Sequence, residues 1–244
     1  MVRRRRGVLR VGTSGYDYRH WRGVFYPRTI PAGQRFAYYA ERFSTVEINN
    51  TFYGLPAPRV FDAWRAQAPA RFRYAVKFSR YGSHRKRLKT PRPIIKKFLG
   101  RVVRLRDHLG PILVQLPPNW RADPDRLAGF LAGAPAEHRW AVEFRDGRWF
   151  CEPVYEVLRR HGAALCIHDL LDDHPREITA DWVYLRFHGD HYGGAYPRRF
   201  LRREARRCRD WLEQGLDVYA YFNNDRDGHA VSNALDLHRF VDGE

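Results

Sequence analysis

The sequence predicts an α/β chain of the TIM (β/α)8 type, a single barrel whose sixth helix is short or missing, and three observations predict it. Eight short apolar runs, each fit to form a strand, recur along the 244 residues. Amphipathic segments separate them, so strand and helix periodicities alternate from end to end. No Gly-rich dinucleotide fingerprint follows the first run, and eight such units in about 250 residues suit a closed barrel better than an open doubly wound sheet.

Taken in order, the predicted strands are 8–12, 45–49, 74–79, 112–116, 140–145, 164–169, 182–188 and 218–224. The predicted helices are 36–43, 59–68, 93–109, 124–132, 153–161, 198–214 and 230–241. The link from Asp169 to Trp182 is too short for a full helix. The strands alternate with a period of two. Val46 and Ile48 oppose Glu47 and Asn49, Val76 and Phe78 oppose Lys77, and Val114 and Leu116 oppose Gln115. Val142 and Phe144 oppose Glu143 and Arg145; Val183, Leu185 and Phe187 oppose Tyr184, Arg186 and His188; Val218, Ala220 and Phe222 oppose Tyr219, Tyr221 and Asn223. The helix at 198–214 puts Leu201, Ala205, Cys208 and Leu212 on one face and most of its arginines on the other. Residues 1–7 form a basic N-terminal tail and 8–244 one TIM-barrel domain, because no low-complexity linker divides the chain.

Composition narrows the function classes. With 44% hydrophobic and 15% aromatic residues, disorder is excluded as the main state. No apolar run approaches 18 residues and the stretch after the first arginines is too brief for a signal-peptide core, so no membrane partner and a cytoplasmic location are expected. Cys151, Cys166 and Cys208 offer no C-x-x-C spacing and exclude a disulfide scaffold. The net charge of +17 favours anionic partners, but 39 arginines against five lysines is also what a GC-rich genome would impose on any surface.

Several ordered motifs go further. They are Gly12-Thr13-Ser14-Gly15-Tyr16 with Trp21, Gly23 and Phe25-Tyr26-Pro27; Glu47-Ile48-Asn49-Asn50-Thr51-Phe52-Tyr53; and Lys77 with Ser79-Arg80-Tyr81, His84 and Lys86-Arg87-Leu88-Lys89. Then come Gln115-Leu116-Pro117-Pro118; Glu143-Phe144-Arg145 with Trp149; Tyr184-Leu185-Arg186-Phe187-His188-Gly189; and Tyr221-Phe222-Asn223-Asn224-Asp225 with Gly228, Ala230, Asn233 and Ala234. Over essentially the whole chain this series resembles the domain of unknown function 72 family, the YecE-like TIM barrels. Tyr16 stands where Trp is common in that family, Gly82 where a branched residue is usual, and Asp146 where His is frequent. The resemblance implies a TIM barrel and brings no activity, so function has to come from the site.

The polar strand faces point to that site. A barrel needing only stability fills its interior with branched apolar side chains, and buried charges are costly unless paired. Glu47 and Glu143 are the candidate acid/base carboxylates. Lys77, Arg145 and Arg186 would face a phosphate or a developing oxyanion, and His188 could shuttle a proton. Gln115 and Asn223 would orient a polar substrate. Ser14, Tyr16, Asn49, Tyr53, Trp149, Tyr221 and Asp225 are further substrate-binding candidates, as are His84, Arg85, Lys86 and Arg87 in the basic loop after the third strand. A structural ion-pair plug made of the same charges is the competing explanation. No cofactor is expected: His168, Asp169, His188, Asp190, His191, Asp225 and Asp227 fall at or beyond strand ends, but without a metal-ligand spacing and near cations that would repel a divalent ion. A divalent metal stays as the minority reading.

The reading is thus a hydrolase or lyase with an anion-accepting pocket at the C-terminal strand ends, acting on a phosphorylated small molecule or a nucleic-acid-derived substrate, with a monomer favoured. The alternatives are a nucleic-acid-binding protein without turnover, and an acid/base glycosidase using Glu47 and Glu143.

Overall fold

Each apolar run becomes a strand in the computed structural model, which describes residues 5–189 and 193–244. The strands are β1 (Leu9–Thr13), β2 (Thr45–Ile48), β3 (Arg73–Lys77), β4 (Leu109–Gln115), β5 (Trp140–Glu143), β6 (Ala164–His168), β7 (Trp182–Phe187) and β8 (Asp217–Phe222). The helices are α1 (Arg35–Ala40), α2 (Asn50–Tyr53), α3 (Pro58–Gln67), α4 (Pro91–Val102), α5 (Pro124–Leu131), α6 (Glu152–Arg160), α7 (Arg198–Glu213) and α8 (His229–Asp242). The eight parallel strands follow the order β1-β8-β7-β6-β5-β4-β3-β2, the α/β barrel of the TIM type. Met1 to Arg4 of the expected basic tail lie outside the described residues. Among the described residues no helix is long and apolar enough to cross a membrane.

The residues group into two compact units, one running through Glu47 and resuming at Trp182, the other Ile48–Asp181. In the first, β8 pairs with β1 and β7, with Gly12 and Arg186 both opposite Tyr221. All six residues of β7 are buried, as expected of a parallel strand covered on both faces. Gly12 is required by close approach: a Cβ there would lie 2.2 Å from the Thr45 carbonyl oxygen. On α7 the buried residues include the expected Leu201, Ala205, Cys208 and Leu212. Glu204 is buried among them and accepts a hydrogen bond from Arg207 Nη1 at 2.5 Å.

In the second unit β3 to β6 pair in sequence, with Gln115 opposite Glu143 and Val142 opposite Leu165. Proline opens α3, α4 and α5, where its missing N–H is no loss because the first helical N–H groups have no intrahelical partner. Phe78 packs edge-on against Phe98 and Phe130 at centroid separations of 5.0 and 5.4 Å. Burying each such ring contributes about 1.5–3 kcal/mol. The helix expected over 93–109 ends at Val102 and continues as 3-10 turns over Val103–His108, which are kinked at Arg106, where φ is 50°. Residues 169–181 contain no helix. Thr179 does part of that helix's work, its hydroxyl donating to Ala163 O at 2.7 Å and accepting from Leu165 N–H at 2.8 Å.

Candidate functional site

Parallel strands deliver their last side chains to one end of the sheet, where TIM-type enzymes carry their chemistry. In the second unit β3, β4, β5 and β6 end on Lys77, Gln115, Glu143 and His168. All four are buried, Glu143 completely. Glu143 Oε1 accepts from Gln115 Nε2 at 2.9 Å and from Arg145 Nε, while Cys166 Sγ lies 4.0 Å from Oε2. Arg145 follows by two residues on the same strand face, and its side chain retains 21% exposure. The buried carboxylate is thereby linked to a cation that reaches solvent.

Lys77 Nζ sits 4.4 Å from the centre of the Phe52 ring, a cation–π contact, and its carbonyl accepts the Thr51 hydroxyl at 2.7 Å. Phe52 is also met edge-on by His84, whose Nδ1 is 3.0 Å from Ser83 Oγ. Burial lowers the His84 pKa to about 4, helped by the charges of Lys77, Arg80 and Arg145 and opposed by Glu143. His84 is therefore a neutral imidazole among three cations at neutral pH. His168 accepts the Leu170 N–H on Nδ1 at 3.2 Å, so the proton sits on Nε2 and is donated to Phe144 O at 2.7 Å.

The first unit holds a second buried carboxylate. Glu47 Oε1 accepts from Ser14 Oγ at 2.6 Å and Arg186 Nη2 at 2.9 Å, and Oε2 accepts from the Tyr184 hydroxyl at 2.7 Å. Glu47, Ser14, Arg186 and Tyr184 are all essentially inaccessible. Burial, then the Glu47 charge, raises the Tyr184 pKa well above its usual value and keeps the hydroxyl a donor. Tyr221, also buried, shares a hydrogen bond with Thr45 Oγ1 at 2.7 Å. Asp225 accepts from Trp21 Nε1 at 2.6 Å and lies 3.2 Å from His20 Nε2; burial raises its carboxyl pKa.

The remaining candidates divide. Trp149, expected as an aromatic contact for substrate, is fully buried and stacked on Phe144 at 4.8 Å. It belongs to the core, because the turn after β5 folds it back over the strand. Tyr16 is half-buried with its edge against Phe36 at 5.2 Å, Asn49 and Asn223 are half-buried, and His188 is buried. Tyr53, Arg85, Lys86 and Arg87 are exposed. Asp190 and His191 of the metal reading lie outside the described residues. Among the described residues no three His, Cys, Asp or Glu side chains converge as a metal site. Sequence reasoning placed Arg80 in a motif after the third strand but gave it no role at the site. It also left Tyr184 without a role, although strand parity placed it on the same face as Arg186.

The family model for "Protein of unknown function DUF72" matches residues 10–244. The UPF0759 protein YecE of Escherichia coli K12 is 34% identical over 125 residues, 51% of this chain and 46% of YecE, so the match spans about half of that protein's length. The UPF0759 protein YunF of Bacillus subtilis is 24% identical, over 97% of this chain and 96% of its own. A crystal structure of a DUF72 family protein from Thermotoga maritima superposes with a TM-score of 0.85 at 28% identity, covering 96% of this chain and 99% of that one. One from Enterococcus faecalis shares the fold at a TM-score of 0.80 and 17% identity, over 97% of this chain and 96% of that one. With the family model matching nearly its whole length, this chain belongs to the DUF72 family.

Proposed function

We propose that the ends of β3 to β5 accept a phosphate or similar anion, and that the protein is a hydrolase or lyase acting on a phosphorylated or nucleic-acid-derived substrate. One observation carries this reading: His84, which burial keeps unprotonated, also stands in the combined positive field of Lys77, Arg80 and Arg145. An anion entering that field offsets the positive charge and lets the imidazole take up a proton. Lys77 acts as a compact point charge on a phosphate oxygen and Arg145 as a planar fork. Gln115 orients the group, and Glu143 moves the proton at the reacting oxygen. Glu47 is unsuited to the same work. Its donors Ser14, Tyr184 and Arg186 are all buried, whereas Arg145 beside Glu143 reaches solvent.

The test offers the protein a panel of phosphomonoesters, phosphodiesters and single-stranded oligonucleotides, with binding of inorganic phosphate followed by 31P NMR. Glu143→Gln should lower turnover about 10²–10⁴-fold while phosphate still binds. Lys77→Met should weaken phosphate binding about tenfold or more. Unchanged turnover in Glu143→Gln would remove that residue as acid/base. Phosphate binding with no turnover across the panel would favour a binding protein without catalysis.

A further inference from the structure

The five lysines of this chain, Lys77, Lys86, Lys89, Lys96 and Lys97, all fall in β3, the loop after it and α4, while 39 arginines are spread from end to end. A compositional drift toward arginine would thin lysines evenly and leave no such cluster. Lysine differs from arginine in offering a compact, strongly hydrated point charge, a common way to hold a phosphate.

Two of the five, Lys86 and Lys97, line a single cavity of about 510 Å³, within the range of small-molecule sites. Its wall includes Phe52, Tyr53, Tyr81 and Ile94, and no acidic side chain lines it. Tyr53 is 78% and Tyr81 50% exposed, two of the four large apolar side chains left exposed among the described residues. Lys86 Nζ is 5.6 Å from the centre of the Tyr81 ring. The backbone around the cavity is unusual as well. Tyr81–Arg85 forms a turn of π-helix, and Arg87, Leu88 and Thr90 take φ of 46°, 62° and 50°. Thr90 lines the cavity, and a β-branched residue in that conformation is strained; such strain gathers at ligand clamps.

We propose that this cavity is a nucleotide-binding site, with the planar base against Tyr53 and Tyr81 and the phosphate on Lys86 and Lys97. The site goes beyond the reaction proposed at Glu143, since binding here requires no turnover. An acidic peptide would satisfy the lysines and leave both ring faces unused. A nucleotide uses both features, because every base has a face to stack and every phosphate a charge to pair. The nucleotide is either a free nucleoside monophosphate or one unit of a single strand.

Calorimetric titration with AMP, ribose 5-phosphate, inorganic phosphate and a single-stranded oligo(dA) hexamer tests the site on the wild type, Tyr53→Ala and Lys97→Gln. Both substituted side chains are exposed, so the fold is expected to survive, which circular dichroism checks. AMP should bind about tenfold more tightly than ribose 5-phosphate, as base stacking provides. Tyr53→Ala should erase that advantage, and Lys97→Gln should weaken both ligands several-fold. A hexamer that binds more tightly than AMP identifies a strand as the occupant; one that binds equally or less tightly identifies the free nucleotide. AMP binding no better than inorganic phosphate, or unchanged in Tyr53→Ala, overturns the proposal. Turnover is not read here, so failure of the site and failure of the reaction stay distinct.

Discussion

Glu47 and Glu143 are both fully buried carboxylates at or next to the end of a strand, and their surroundings differ in kind. Glu47 is enclosed by a hydroxyl, a phenol and a guanidinium that are themselves inaccessible, with Arg186 1% exposed. Glu143 is held by an amide and by Arg145, whose side chain reaches solvent at 21% exposure. A buried charge whose partners are all buried has exchanged water for a fixed cage and gains nothing by moving. One whose partner reaches solvent can hand that partner to an incoming anion. On the function proposed above, the same residue type would serve architecture in one unit and chemistry in the other.

Breaking the enclosed pair should have the largest effect. Arg186→Met leaves the buried Glu47 charge without its guanidinium partner, and removing one partner of a buried pair costs about 3–5 kcal/mol. For a chain of this size that lowers the Tm by on the order of 10 °C, measurable by calorimetry. A drop of only a few degrees would mean that the Glu47 cage is not structural, and the contrast between the units would fail.

Glu143→Gln probes the other side of the contrast. The amide keeps the shape and an oxygen that still accepts from Gln115, and Arg145 can turn toward water. A Tm within about 3 °C of wild type is expected, corresponding to a loss of about 1 kcal/mol or less. A loss as large as that of Arg186→Met would make both carboxylates structural plugs.

The loop after β3 sharpens the contrast more weakly. Neutralising Arg85, Lys86 and Arg87 together should reduce the salt dependence of single-stranded nucleic-acid binding, by up to about 2 in the log–log slope if all three meet phosphates. An unchanged slope would return this charge to the arginine-rich composition.

Particular residues show how far the sequence could be read. The strands were legible to within one to three residues at each end, because apolar runs with period-two alternation leave little freedom in register. Parity also placed Glu143 and Arg145 on one face, where they pair. The short α2 and the π turn at Tyr81–Arg85 were not legible, since four or five residues carry no helical period. Why Gly82 stands within that turn is visible only in three dimensions: a Cβ would stand 2.5 Å from the Phe78 ring. Trp149 misled for a similar reason, because nothing local says whether an aromatic residue after a strand folds back onto it.

His84 gives the smallest effect and the most direct reading of the field in the second unit. In the unfolded chain its imidazole takes up a proton near pH 6.5, in the folded protein only near 4. Between those values the unfolded chain binds more protons, so this residue makes stability rise with pH across the window. On acidification the loss begins near 6.5 and is complete below about 4. The groups acting on the ring are Lys77 at the end of β3, Arg80 in the following loop, and Arg145 and Glu143 at the end of β5, with Phe52 of α2 packed against it. His174, whose pKa is also lowered to about 4, by burial and the neighbouring His168, titrates in the same window. His84→Gln should therefore remove part of the slope in denaturant midpoint between pH 6.5 and 4 and leave the rest. NMR of the ring C–H resonances should show a His84 midpoint near 4 that moves upward when phosphate is added, as the anion offsets the cations that oppose protonation. A midpoint near 6.5 in the absence of phosphate would mean that neither burial nor the three cations oppose protonation there, and Glu143 would then differ from Glu47 only in its exposure to water.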